Sequence, residues 1–368
     1  MELSLEKTNI NPLLVENLAE IPSKNQKNET FPNFELLEVK EKQLHKAIEA
    51  EEKVFAFSGL KVHDEIQIFD VPLKYGGKNH IHTVRCGSPN SPPLVLIHGY
   101  GGSGVTFYKI IKDLSQKYQV FCIDLLGMGL SSRPKFELIS TEECISFFVE
   151  SLEEWRKILK INDFTLIGHS LGGYISVNYA LRYKAFLRRL FLMSPAGISG
   201  IDENFDLDEY LKNSGFMRRQ FVKLASKLWQ KKYTPNKLYQ KTGFLGRYAL
   251  KLYVTKRWSS SKEEGKALQA YFDKILSMPP SSEAALHYLL KMPKARAIIP
   301  MEEYIKKDLQ KLQVVFLYGD FDWMDTTGAM RLFKTQPNVD YHQINGAGHH
   351  ANMDQPTNVC KIILSYLI

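Results

Sequence analysis

The sequence predicts an α/β fold: a mostly parallel central sheet with helices on both faces, interrupted once by an inserted helical cap. Three observations carry this. Short apolar strand-like runs alternate with helix-like segments up to residue 193 and again from 314, the pattern that builds a parallel sheet through βαβ units. One such run, Thr165-Leu166-Ile167, ends in Gly168-His169-Ser170-Leu171-Gly172-Gly173 and leads into a helix-like segment over 174–183. Between 194 and 313 the alternation stops and the chain becomes helical and basic.

Taken in order, residues 1–33 are rich in Asn, Glu, Lys and Pro with little periodicity and read as a mobile or loosely docked arm. A helix is expected over 34–57, with Leu37, Leu44 and Ile48 on one face and Gly59 ending it. Two β-rich runs follow at 63–72 and 80–86, with Gly76-Gly77 as the hairpin signal. Residues 94–97, entered through Pro92-Pro93, form a short run apolar throughout, as expected of a strand buried on both faces. Strands are expected at 118–123, 164–167 and 187–193, with a helix over 141–159 that turns Phe147, Phe148 and Leu152 inward. After the insertion come strands at 314–318 and 340–344 and a closing helix near 356–367. The α/β core is therefore expected over 34–193 and 314–368, and the cap over 194–313.

Composition narrows the class. Hydrophobic content of 44% and charged content of 24% are ordinary for a globular protein. There is no run of eighteen apolar residues to span a bilayer. Glu2, Glu6, Glu16 and Glu20 in the opening stretch argue against a secretory or mitochondrial leader. Cys86, Cys122, Cys144 and Cys360 are widely separated, without metal-like spacing, and read as reduced structural thiols of a cytoplasmic protein. Neither a metal nor a tightly held cofactor is expected. The net charge of +8 is uneven: residues 211–257 carry thirteen Lys/Arg and no Asp or Glu, leaving the remainder net negative.

The Gly-x-Ser-x-Gly run has the form of a nucleophile elbow, a strand-to-helix turn that lifts a serine oxygen clear of the backbone. Gly168 and Gly172 stand where neighbouring strand and helix leave no room for a Cβ. The helix N-terminus behind Ser170 aims partial positive charge at the anion formed when it attacks a carbonyl. His98-Gly99-Tyr100-Gly101-Gly102 follows the strand at 94–97, and the backbone N–H groups of Tyr100 and Leu171 are the expected oxyanion donors. The Asp124-Leu125-Leu126-Gly127-Met128-Gly129-Leu130-Ser131 loop is expected to shape the site rather than act in it.

The base is expected to be His349, in the Gly346-Ala347-Gly348-His349-His350 turn after the last strand, ahead of His350 and of His169, which is expected to pack. The acid that orients it comes from Gly319-Asp320-Phe321-Asp322-Trp323-Met324-Asp325. Asp322 ranks first from its spacing after the strand end, Asp325 second and Asp320 third, in the chain order Ser, acid, His.

With these motifs in place the chain resembles an α/β-hydrolase. It is most similar to the family containing abhydrolase-domain proteins 4 and 5 and their plant and yeast relatives, over roughly residues 34–368. Asp322-Trp323-Met324-Asp325 and Gly348-His349-His350-Ala351-Asn352-Met353-Asp354-Gln355-Pro356 are the more specific of the shared motifs. The resemblance implies lipid chemistry: hydrolysis of acyl esters of phospholipids and N-acyl phospholipids, or acyl transfer from acyl-CoA, as co-substrate, to lysophosphatidic acid. Its His-x4-Asp signature, here His349 and Asp354, is tied to the acyltransferase activity. Asp354, just ahead of Gln355-Pro356, also reads as a helix N-cap. One branch replaces the nucleophile with Asn and acts as a lipase co-activator, whereas this chain keeps Ser170.

The basic insertion also carries Phe216, Phe221, Trp229, Tyr233, Tyr239, Phe244, Tyr248, Tyr253 and Trp258, and Phe221, Leu224 and Leu228 recur at helical spacing. A basic amphipathic helix with aromatics marks a membrane surface. The competing expectation is an aromatic face that covers the active site beneath merely solvated bases. No nucleic-acid recognition motif accompanies the charge. The expected function is thus a serine-dependent lipid acyl hydrolase or acyltransferase at an anionic membrane or lipid-droplet surface. The alternative is a non-catalytic lipid-binding regulator of a partner lipase. Epoxide or haloalkane hydrolysis would want Asp as nucleophile, not Ser170.

Overall fold

A computed structural model describes residues 34–367 apart from 76, 201–208, 210, 213–214 and 292–294; at 217, 218, 221, 225 and 256 it describes the backbone alone. The expected N-terminal arm, Gly76, and the side chains of Arg218 and Phe221 therefore lie outside the described residues.

Helix α1 spans Glu41–Phe55 and tightens into a 3-10 turn over Ala56–Ser58, where Gly59 at φ 79° stops it. It begins seven residues later than expected: residues 34–40 are not helical, and Leu36 and Leu37 bond instead to the loop at Arg133 and Pro134. Strands β1 (Ile66–Leu73) and β2 (Asn79–Cys86) form the expected antiparallel hairpin. Then follow β3 (Pro93–Ile97), α2 (Ile111–Ser115), β4 (Gln119–Ile123), α3 (Thr141–Ile158), β5 (Phe164–His169), α4 (Leu171–Tyr183) and β6 (Leu187–Met193). Helix α3 starts where predicted because Ser140 and Glu143 close a reciprocal capping box on its free N–H groups.

The next helices are α5 (Phe216–Gln230), α6 (Pro235–Thr242), α7 (Phe244–Arg257), α8 (Lys262–Leu276) and the short α9 (Leu286–Leu289). A two-stranded antiparallel ribbon, β7 (Leu290–Lys291) with β8 (Arg296–Ala297), was not expected in this helical segment. Helix α10 (Glu302–Asp308) leads into β9 (Gln313–Gly319), α11 (Thr327–Thr335), β10 (Val339–Ile344), α12 (Ala351–Asp354) and α13 (Pro356–Ser365).

The eight-stranded sheet has the order β1-β2-β4-β3-β5-β6-β9-β10, antiparallel only at β1–β2 and β2–β4. Period-two alternation divides the strands between two cores. Val95, Ile97, Leu166, Leu190, Leu192, Val314 and Phe316 fill one face. Leu94, Leu96, Ile167, Phe191, Met193, Val315 and Leu317 fill the other. Burial on both faces is why these runs read as apolar throughout.

The chain turns from β3 to β4 on one side and then to β5 on the other, which opens a crevice beyond the carboxyl ends of the strands. Register brings those ends level: Ile97 lies beside Gly168, Gly168 beside Leu192, Met193 beside Leu317, and Gly319 beside Ile344. His98, Ser170, Asp322 and His349 each follow one of these ends.

Buried polar contacts seat the helices after β6 on this edge. Arg133 donates to Glu283 at 2.9 Å with both side chains buried, and Asn236 donates to the same carboxylate oxygen at 3.0 Å. From α8, Glu264 accepts the Tyr108 hydroxyl at 2.6 Å and Tyr271 donates to Ser103 at 2.8 Å.

Candidate active site

Ser170 sits at the junction of β5 and α4 with φ 55° and ψ −117°, a region L-residues rarely enter. The surroundings hold it there. Its N–H donates to the Met193 carbonyl at 3.0 Å, and its own carbonyl accepts the Ala196 N–H at 3.0 Å. The glycines explain the tight approach. A Cβ on Gly168 would strike the Gly172 carbonyl and Ser176, and one on Gly172 would strike the backbone of Ile97 and His98. A Cβ on Gly99 would stand 2.8 Å from the Ser170 Cβ, so the loop after β3 lies directly against the elbow.

The His349 Nε2 lies 3.1 Å from the Ser170 Oγ, and its Nδ1 lies 3.1 Å from the Asp322 Oδ1. These partners fix one tautomer: Nδ1–H donates to the carboxylate, and Nε2 is free to accept the serine proton. Asp322 is almost fully buried, at 1% side-chain exposure against 13% for His349. Burial acts to raise its carboxyl, but the His349 hydrogen bond and charge, with the Ser194 hydroxyl beside it, hold it below the ordinary carboxylate range.

The rival acids are engaged elsewhere. Asp320 accepts the N–H groups of Gly346 and Ala347 at 3.0 and 3.1 Å and shapes the histidine loop. Asp325 accepts from Arg296 and from the Thr327 N–H, both at 3.1 Å. Of the rival bases, His169 packs as expected and donates from Nε2 to the His349 carbonyl at 2.8 Å. His350 turns to Trp258, with ring centroids 4.8 Å apart.

The loop expected to bind the oxyanion has its own support. His98 is fully buried, donates from Nδ1 to the Gly99 carbonyl at 2.7 Å and accepts the Leu125 N–H on Nε2 at 3.0 Å. Leu171 opens α4, so no preceding turn can accept its N–H. Tyr100 lies in the loop that meets the elbow from the other side. The loop at 124–131 has the structural role expected of it: buried Asp124 accepts the Gly104 and Leu130 N–H groups at 2.6 and 2.7 Å.

Asp354 departs from expectation. It ends α12 and caps nothing; Gln355 stands at the N-cap of α13 and makes no side-chain capping bond. Its Oδ2 instead accepts the Gly348 N–H at 2.8 Å and the Arg257 guanidinium at 2.6 Å. The sequence reading also missed Trp323, whose ring lies 5.0 Å from that of His349, and Ser194 beside Asp322. A signal existed for Ser194, which directly follows β6 in Ser194-Pro195 at the level of the site; Arg257 had none.

Burial pushes His98 down to about 4 from an ordinary 6.5. Burial and then the His349 ring push His169 down to about 3. Both are neutral in the folded chain, whereas the unfolded chain protonates them below about 6.5. Their contribution to stability is present above that value and is lost as pH falls toward about 4. Asp124, raised by burial to about 6, opposes one of them over the same window. His82 behaves oppositely to the neutral pair. Burial lowers it, but Glu51 and Asp70 on its two nitrogens, at 2.9 and 2.7 Å, carry it well above 6.5. Its contribution is complete below 6.5 and is lost only at higher pH. His350, which burial and then the His169 and His349 rings hold well below 6.5, adds to the loss. The net expectation is a loss of about 1 to 3 kcal/mol per pH unit below about 6.5. Calorimetry should show the unfolding midpoint falling by a few degrees between about pH 6.5 and about pH 5; a flat profile would contradict this account.

A family model described as the alpha/beta hydrolase fold matches residues 92–356. The chain is 32% identical over 292 residues to a probable 1-acylglycerol-3-phosphate O-acyltransferase of Oryza sativa, covering 75% of this chain and 67% of that one. It is 30% identical over 298 residues to the 1-acylglycerol-3-phosphate O-acyltransferase ABHD5 of Homo sapiens, covering 77% and 80%. In fold it resembles the carboxylesterase CesB of Bacillus subtilis, with a TM-score of 0.62 at 18% identity over 89% of this chain and 98% of that one. It also resembles a membrane phospholipase A described as a bacterial virulence factor, with a TM-score of 0.60 at 18% identity over 89% and 90%. Fold, matched segment and relatives agree with the strand-end geometry, and the chain belongs to the α/β-hydrolase fold family, among its abhydrolase-domain 5-like members.

Proposed function

We propose that this chain is a serine-dependent lipid acyl hydrolase or acyltransferase working at a membrane surface. The observation that carries the proposal is the pair of contacts Ser170 Oγ–His349 Nε2 and His349 Nδ1–Asp322 Oδ1, at 3.1 Å each. Ser170 attacks the acyl carbonyl while His349 takes its proton, and buried Asp322 stabilises the imidazolium. The Leu171 and Tyr100 N–H groups stabilise the oxyanion. The tetrahedral intermediate collapses, the leaving alcohol or thiol takes the proton back from His349, and an acyl-Ser170 ester remains. Water then releases a fatty acid, or the hydroxyl of lysophosphatidic acid takes the acyl group to give phosphatidic acid. In the transfer reaction acyl-CoA is the donor co-substrate and its thiol leaves. The human relative is named for the transfer reaction and the rice relative as a probable enzyme of it.

The exposed surface supports a lipid substrate. Trp323 stands half exposed against the His349 ring, and exposed Phe321 donates its N–H to Ala347 in the loop that carries His349. Helix α5 exposes Phe216 and Leu224, and α7 exposes Phe244, Leu245, Tyr248 and Leu252, on a segment whose charges are all basic. Exposed apolar residues beside bases suit an anionic lipid interface, with about 1 kcal/mol per engaged base. Trp258, by contrast, is buried and faces the protein. No helix among the described residues is long and apolar enough to cross a membrane.

The test is to treat the purified protein with a fluorophosphonate and map the labelled peptide, then incubate it with lysophosphatidic acid in vesicles, with and without acyl-CoA, and analyse the products. Labelling on Ser170 is expected, with phosphatidic acid or free fatty acid as product and a rate that rises with the anionic fraction of the vesicle. Absence of label and of both products in the presence of vesicles would instead favour a lipid-binding regulator of a partner lipase.

A further inference from the structure

The basic segment ends, in Arg257 and Trp258, at the loop that carries His349. The Arg257 Nη2 donates to the Asp354 Oδ2 at 2.6 Å, and the same oxygen accepts the N–H of Gly348 at 2.8 Å. Gly348 immediately precedes His349, and a Cβ there would run into the Arg257 guanidinium. Asp354 is 4% exposed while Arg257 is 41% exposed, so the arginine reaches in from the surface to meet a buried carboxylate. The next residue makes a second contact. Trp258 packs on His350 with centroids 4.8 Å apart, His350 lies 4.8 Å from His169, and His169 bonds the His349 carbonyl at 2.8 Å. The corner itself is pinned to the core, since Lys109 donates to the Trp258 carbonyl at 2.5 Å.

We propose that Arg257 is a positioning residue for the base: acting through Asp354 and the Gly348 amide, it sets the backbone of His349, and so links the lipid-facing helix α7 to the Ser170–His349 distance. The inference rests on the catalytic reading above and deepens it. The physical reason is the cost of an unpaired buried carboxylate. Without the guanidinium, Asp354 keeps one N–H for two charged oxygens in a nearly dry site. It relaxes by turning toward water, and that loosens its hold on Gly348. A displacement of about 1 Å between nucleophile and base costs on the order of 10²-fold in rate.

The test uses a monomeric short-chain p-nitrophenyl ester, so that membrane binding does not enter, with Arg257→Ala, Arg257→Lys and the double variant Arg257→Ala/Asp354→Asn. Arg257→Ala is expected to lower kcat by about 10- to 100-fold with KM unchanged, and to slow fluorophosphonate labelling of Ser170 by the same factor. Arg257→Lys should restore most of the rate. The double variant should be no slower than Asp354→Asn alone, because the arginine acts through the aspartate. An unchanged kcat, an effect confined to KM, or additive losses in the double variant would each overturn the proposal. If Arg257→Ala does not fold, Arg257→Lys and Arg257→Gln decide: a smaller loss for Lys than for Gln supports the proposal, and equal rates refute it. Failure of the catalytic reading would show differently, as no labelling in the unsubstituted protein, and this inference would fall with it.

Discussion

Ser170→Ala is expected to lower lipid-ester turnover by on the order of 10⁶-fold and to abolish fluorophosphonate labelling, while the protein unfolds at nearly the same temperature. The magnitude follows from the loss of the covalent route: without the nucleophile His349 has nothing to activate, and only the residual rate from binding and oxyanion donors survives. The unchanged stability follows from the elbow. At φ 55° and ψ −117° the strain belongs to the backbone and the β-carbon, which alanine shares with serine. The bonds that hold the turn, from Ser170 N–H to Met193 and from Ala196 N–H to Ser170, are made by main-chain atoms. Rates on lipid vesicles and a melting curve for the same preparation check both halves. Retained turnover would reject Ser170 as nucleophile.

What the sequence disclosed depended on how local the cause was. The elbow was legible because strand, turn, crowding glycines and helix N-terminus are contiguous, and each leaves its mark at a fixed offset. The parallel strands were legible because burial on both faces requires an apolar run, as at Leu94–Ile97 or Leu190–Met193, now divided between two cores. Asp354 was misread because its neighbours Gln355-Pro356 announce a helix start, while its actual partner, Arg257, lies 97 residues earlier in the chain. Long-range pairing of that kind leaves no periodic trace. For Trp258 the sequence left two expectations open, a lipid-facing aromatic and one turned toward the site, and only its contacts with Phe272 and His350 decide for the second. The start of α1 was placed too early because residues 34–40 share its composition but bond to the loop at 133–134.

The choice among three aspartates carries the second large effect. Asp322→Asn is expected to lower kcat by about 10⁴-fold, whereas Asp320→Asn and Asp325→Asn leave the rate within about tenfold of the unsubstituted protein. An asparagine amide facing Nδ1 donates where the carboxylate accepted. The imidazole answers by carrying its proton on Nε2, which then faces Ser170 and cannot take the serine proton. The imidazolium formed in the transition state also loses its buried counter-charge. Asp322 is suited to both duties because His349 and Ser194 hold its carboxyl below the ordinary range, so it stays ionised throughout neutral pH. Asp320 and Asp325 serve the backbone: one ties down Gly346 and Ala347, the other Thr327, and their loss should appear in melting temperature before it appears in rate. Labelling kinetics distinguish the cases, since only the 322 substitution should slow reaction of Ser170 in proportion to kcat. A large rate loss at Asp325 with Asp322→Asn near normal would move the acid three residues along the loop and require His349 to turn away from the partner it now holds at 3.1 Å.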